Sequence, residues 1–125
     1  MIKIKFDRES VCMGDDIGSH ETFFDVDEKM TINEFIGFLY SKPNIFPKIS
    51  GGKATWILQI EKENFYRNIA VFAQQWKTAK YLNSNLTIGE IIRFKNPTSF
   101  YAKYLAQKDP ENVYNSLKEL KLLDF

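Results

Sequence analysis

Apolar and polar positions alternate from the first residues of the chain. Ile2, Ile4 and Phe6 fall on one side of an extended segment, with Lys3, Lys5 and Asp7 on the other. That is the period-two pattern of a strand with one buried face. Thr22, Phe24 and Val26 repeat it within residues 21–27. Residues 9–20 between these strands carry two Gly and two adjacent Asp and read as a long connection, so the opening is an antiparallel hairpin with an elaborate tip. The period then changes. Ile32, Phe35, Ile36, Leu39 and Tyr40 recur at helical spacing. Thr31 and Glu34 supply a capping box in front of them, and Pro43 stops the helix. Phe38 lies off this stripe, either on a second packing surface or exposed.

Alternation returns over residues 54–61, with Trp56, Leu58 and Ile60 on one face. Residues 65–74 follow after a polar turn. Their unbroken run Ile69-Ala70-Val71-Phe72-Ala73 predicts burial on both faces and makes this the expected central strand. Residues 77–82 suggest a short further strand. A second capping box, Thr87-Ile88-Gly89-Glu90, opens a short helix. Phe100, Tyr101, Tyr104 and Leu105 suggest another helix over 98–107, and Asp109-Pro110 caps a last one with Val113, Leu117 and Leu120 inside.

The order is thus strand, strand, helix, strand, strand, then helices. It predicts an α+β fold with a mixed sheet of four to five strands and a crossing helix. The opening resembles the β-grasp, or ubiquitin-like, arrangement over residues 1–82. A chain of 125 residues fits one domain, with residues 87–125 as a helical extension packed on the sheet.

Charge changes the picture only locally. The net charge is +1, too small to suggest nonspecific binding to nucleic acid or to a membrane surface. Between Glu9 and Glu28, however, there are seven acids and no Lys or Arg. The block is either a solvated face or a docking site for a basic partner. Cys12 is the one cysteine, so an internal disulfide is excluded. No apolar run reaches the length of a membrane span, and the first residues lack a signal-peptide core. A cytoplasmic location is the expectation.

Candidate chemistry concentrates in the 9–20 connection, where Cys12, Asp15, Asp16 and His20 lie close in sequence. A Cys12–His20 dyad would need a depressed thiol pKa, and the neighbouring acids oppose it. A zinc site would need paired Cys or His at fixed spacing, which is missing. The plainer reading makes Gly14 and Gly18 turn residues, with Val11, Cys12 and Met13 filling the edge of the core. No Walker loop, dinucleotide fingerprint or G-x-S-x-G frame occurs. The expectation is therefore no enzyme, no cofactor and no metal. A small enzyme or metal-binding protein built on Cys12 and His20 stands as one alternative. A single-stranded nucleic-acid binder is the other. It would use Arg93, Lys95, Lys103 and Lys108 interleaved with Phe94, Phe100, Tyr101 and Tyr104. The same residues also suit amphipathic helices with their Lys in water, so nucleic acid is not the expected partner.

Nineteen aromatic residues, eleven of them Phe, are more than one small core needs, and aromatics dominate interface hot spots. Protein binding is therefore the leading expectation. Three segments carry a resemblance: Ser10-Val11-Cys12-Met13-Gly14-Asp15-Asp16 with His20, Gly51-Gly52-Lys53-Ala54-Thr55-Trp56, and Ala70-Val71-Phe72-Ala73-Gln74-Gln75-Trp76. In these the chain is similar to small bacterial proteins of the immunity type, which neutralise a cognate toxin by stoichiometric binding. The resemblance implies a basic toxin or nuclease domain as partner. On this reading Asp15, Asp16, His20, Asp25 and Asp27 form the charged contact surface, and Trp76 is an aromatic anchor.

Overall fold

A computed structural model describes residues 1–11, 20–42, 45–46, 54–63, 65–82, 86–95, 99–106 and 108–123. The opening alternation forms β1 (Ile2–Arg8) and β2 (Thr22–Val26), antiparallel, with Ile4 opposite Phe24. The change of period marks α1 (Ile32–Ser41). Thr31 Oγ1 accepts the Glu34 amide at 3.2 Å, and Glu34 Oε1 accepts the Thr31 amide at 3.3 Å. Two amides that the first turn leaves without intrahelical partners are thereby satisfied. Ile32, Phe35, Ile36 and Leu39 are buried. At roughly 1.5–3 kcal/mol each, their burial outweighs anything intrinsic helix propensity supplies.

The chain continues through β3 (Ala54–Lys62), β4 (Phe65–Ala73), β5 (Lys80–Tyr81), α2 (Ile88–Lys95), β6 (Ser99–Ala106) and α3 (Pro110–Leu123). Six strands form one mixed sheet in the order β2-β1-β6-β3-β4-β5. β1 and β6 are parallel, with Phe6 opposite Phe100, and the other pairs are antiparallel. The α+β class and the mixed sheet are as the residue pattern predicts. A hairpin, a crossing helix, a second hairpin and a late strand parallel to the first follow in that order.

Three expectations are overturned. Of the helix expected over 98–107, the described residues Ser99–Ala106 form strand β6 instead, inserted at the middle of the sheet, so among the described residues after 87 the helices are α2 and α3. The sheet accordingly has six strands rather than four to five. The misleading signal is the spacing of Phe100, Tyr101, Tyr104 and Leu105. In the strand, Phe100, Ala102 and Tyr104 face the core while Tyr101, Lys103 and Leu105 face the other way. A small residue at Ala102, fully buried, and an apolar residue on each face together blur the period of two. The central strands are then β3 and β6, not β4. β4 is buried at Ala70–Ala73 on both faces because helices lie on both sides of it. Ala70 and Phe72 belong to the core that includes α1, whereas α3 packs against β4 on the opposite face.

The main core fills the space between α1 and the inner face of the sheet. It runs from Ile4 and Phe6 through Phe100 and Ala102 to Trp56, Leu58 and Phe72. Phe46, from the segment after α1, closes one end, with its ring 5.9 Å from Phe6 and 5.0 Å from Trp56. Arg8 ties this segment down: its Nε donates to the Ile45 carbonyl at 2.6 Å and its Nη1 to the Glu9 carbonyl at 3.1 Å. Val11 packs against the edge of the core. Phe38 resolves onto a second packing surface, edge-on to Phe24 of β2 at 5.4 Å.

Candidate protein-binding surfaces

Trp76 sits in the turn that joins β4 to β5. The turn is held at both ends by the backbone: the Gln74 amide donates to the Ala54 carbonyl at 2.9 Å, and the Leu82 amide to the Ile69 carbonyl at 3.1 Å. In between, Asn33 on the first turn of α1 reaches across, and its Oδ1 accepts the Ala79 amide at 3.1 Å. The helix and the turn are therefore pinned at one point and open between. The opening is a groove of about 410 Å³ whose walls include Asn33, Gly37, Tyr40, Phe72, Trp76 and Thr78. Gly37 matters by what it lacks, since a Cβ there would meet nothing within 4 Å.

Two aromatic side chains face this groove, each fixed from behind. Trp76 is half-buried, with Lys80 Nζ lying 5.2 Å from the centre of its indole. The same ammonium stands 5.4 Å from the Tyr114 ring and bonds both Glu111 carboxylate oxygens, at 2.6 and 2.8 Å. Lys80 thus links the anchor to α3. Tyr40 packs its ring on Phe46 at 4.8 Å and Phe72 at 5.9 Å, yet remains 41% exposed. Desolvation of its packed side pushes the phenol well above its ordinary pKa, so the hydroxyl stays a hydrogen-bond donor.

The described acidic residues of the 9–28 segment are not gathered into one patch. His20 precedes β2, with Nε2 3.1 Å from Ser10 Oγ. Glu21 pairs with Lys5 at 3.1 Å. Asp25 is exposed and stands opposite Lys3. Asp27 is a turn residue: its Oδ1 accepts the Lys29 amide at 2.9 Å and its carbonyl the Met30 amide at 3.0 Å. His20 and Asp27 are separated by the length of β2, roughly 23 Å of extended chain. Trp76 lies at the His20 end of the sheet, three strand spacings from β1, or roughly 14 Å across. Asp25 and Asp27 lie toward the other end. Cys12, Asp15 and Asp16 fall outside the described residues.

No family model matches this chain, and no curated protein or solved structure matches it. What the surfaces can do is argued from their residues alone.

Of the residues in the enzyme or metal alternative, only His20 is among those described. Among the described residues no three His, Cys, Asp or Glu side chains gather as a metal site would require. β6 divides the aromatics proposed for stacking bases. Phe100 is buried, Tyr104 packs on Trp56 at 5.0 Å, and Tyr101 lies on the opposite face against Tyr66 at 5.6 Å. Of these three, Tyr101 alone shares a face of β6 with Lys103. Among the described residues no helix is long and apolar enough to cross a membrane. Residue patterns point to Trp76, but Asn33, Gly37 and Tyr40 escape them. Tyr40 belongs to the helical stripe and reads as core, and nothing in the sequence says that residues 74–79 lie against α1.

Proposed function

We propose that this chain is a non-catalytic protein-binding domain that seats an apolar side chain of its partner in the groove between α1 and the 74–79 turn. Trp76 is the anchor. The observation that carries the reading is the groove itself: half-buried Trp76 and Tyr40 face an opening of about 410 Å³. Hot spots form where Trp and Tyr line a pocket that a partner can desolvate, and their few rotatable bonds keep the entropy loss small. The polar rim of Asn33, Lys77 and Thr78 suits a contact whose centre is dry and whose edge is wet. Neutralisation of a cognate toxin domain is the specific form of this function that the sequence resemblance favours. In that form the His20 side of the 9–28 segment, at the same end of the sheet, supplies charge to the contact.

The test uses tagged full-length chain on lysate of the source organism, with three proteins side by side. Wild type should retain one stoichiometric partner at moderate salt. Trp76→Ala removes the anchor, and the interface should weaken by 2 kcal/mol or more, roughly thirtyfold. Gly37→Leu fills the groove from the helix side while improving helix propensity, so it should lose the partner with no loss of thermal stability. Equal capture by all three proteins would remove the groove from the account. The identity of the retained protein, toxin domain or otherwise, decides the specific form.

A further inference from the structure

β2 is the edge of the sheet. Among the described residues it pairs with β1 and with no other strand. Such an edge presents backbone N–H and C=O groups to any strand laid beside it, and proteins commonly blunt it with Lys, Pro or a bulge. Residues 22–26, Thr-Phe-Phe-Asp-Val, contain neither Lys nor Pro, and their register with β1 runs without a shift. The two sides of this edge differ in chemistry. On the outer face stand Glu21, Phe23 and Asp25, with Phe23 58% exposed. On the inner face Phe24 and Phe38 are each half-buried, packed together and not sealed over.

The opposite edge of β2 shows what such a strand accepts. β1 alternates Ile and Lys. Its Lys5 pairs with Glu21, Lys3 stands opposite Asp25, and Ile4 stands opposite Phe24. We propose that the outer edge of β2 takes an extended strand from a partner protein in which Lys or Arg alternates with apolar residues. It would run antiparallel to β2 and extend the sheet by one strand. The cations of that strand would meet Asp25 and Glu21, and its apolar residues would cover Phe24 and Phe38. Backbone pairing supplies affinity and the alternation supplies specificity. A second copy of this chain fits poorly. Two-fold pairing about Phe24 sets Glu21 opposite Asp27 of the other copy at both ends, and like charges directly opposite are destabilising. The inference rests on the protein-binding reading only in taking a protein as partner. It uses a different surface from the Trp76 groove, so the two fail separately.

The probe is a capped peptide of sequence Ile-Lys-Ile-Lys-Phe-Lys, titrated into the isotope-labelled full chain and followed by amide resonances. Its control replaces each Lys with Glu. The Lys peptide should shift residues 22–26 and slow their amide exchange. Binding should weaken about tenfold in Asp25→Lys and less in Asp25→Asn, fall with salt, and persist in Trp76→Ala. The Asn variant covers the case in which facing Lys3 with a second Lys disturbs the hairpin. Absence of shifts at 22–26 with millimolar peptide would overturn the proposal. So would equal binding of the Glu peptide, or shifts clustered at the groove. Concentration-dependent dimerisation through residues 22–26 without peptide would assign the edge to a second copy and overturn it equally.

Discussion

Gly89, the second residue of α2, has its amide bonded to the Glu28 carbonyl at 2.8 Å, and a Cβ on it would stand 2.9 Å from that same oxygen. The opposing atom is backbone, so it cannot swing aside. Gly89→Ala should therefore destabilise the protein by roughly 1–3 kcal/mol, as overpacking does, although Ala is the better helix former. Denaturant unfolding reads this directly, and an unchanged or raised midpoint would show that the two segments separate easily. Tyr101 makes a second, pH-dependent case. Burial, then the charges of Glu9 and Asp7, then Tyr66, push its phenol from 10.0 up to about 12. Between those values the folded protein holds a proton that the unfolded chain releases. The contribution is thus complete below pH 10 and is lost as the pH rises toward 12. Unfolding free energies measured between pH 9 and 12 should fall, and Tyr101→Phe should flatten the fall without abolishing it, because Tyr40 is raised in the same direction. A slope that Tyr101→Phe leaves untouched would mean the phenol titrates normally.

The starts of α1 and α2 form one unit. Both carry a Thr-x-x-Glu box, and in both the Thr hydroxyl accepts the Glu amide, at 3.2 and 3.1 Å. The segments also pair with each other: the Ile32 amide donates to the Leu86 carbonyl at 3.0 Å, the Ile88 amide to the Met30 carbonyl at 2.8 Å, and Thr31 bridges Thr87. Each helix end therefore satisfies donors of the other, which a cap alone leaves open. Thr31→Ala and Thr87→Ala should each cost about 1 kcal/mol. The double variant should cost less than the sum, because a frayed end loosens the segment its partner cap depends on. Strict additivity in a double-mutant cycle would show two independent helix starts.

At the level of the fold, β6 decides most of what the surfaces look like. It stands at the sheet centre, parallel to β1 on one side and antiparallel to β3 on the other. Its insertion moves β4 to the flank, and that leaves the 74–79 turn lying against α1 and opens the groove. It also keeps the β1–β2 hairpin at the far side, with β2 on the edge. The sheet spreads the acidic residues along β2, where strand geometry holds His20 and Asp27 apart. Among the described residues of the acidic stretch, His20 and Asp27 thus stand at two separate places. The groove and the β2 edge belong to different ends of the strand order, which is why one variant can test each without disturbing the other.

Local patterns were enough to read β1, β2, α1, β3, β4 and both capping boxes, because each has one buried face and a clear period, and its stop signals lie within a few residues. The same patterns carried the α+β class. They also singled out Trp76, since an indole after a buried strand is conspicuous wherever the chain takes it. Long-range pairing decided the rest. β6 shows helical spacing by itself and becomes a strand because β1 and β3 leave unsatisfied backbone groups on both sides of the space it fills. Tyr40 reads as core and is exposed because the turn opposite it stands off by the width of a groove. In each case the residue's type settles what it can bond or bury, and the partner that arrives from far along the chain settles which of these it does.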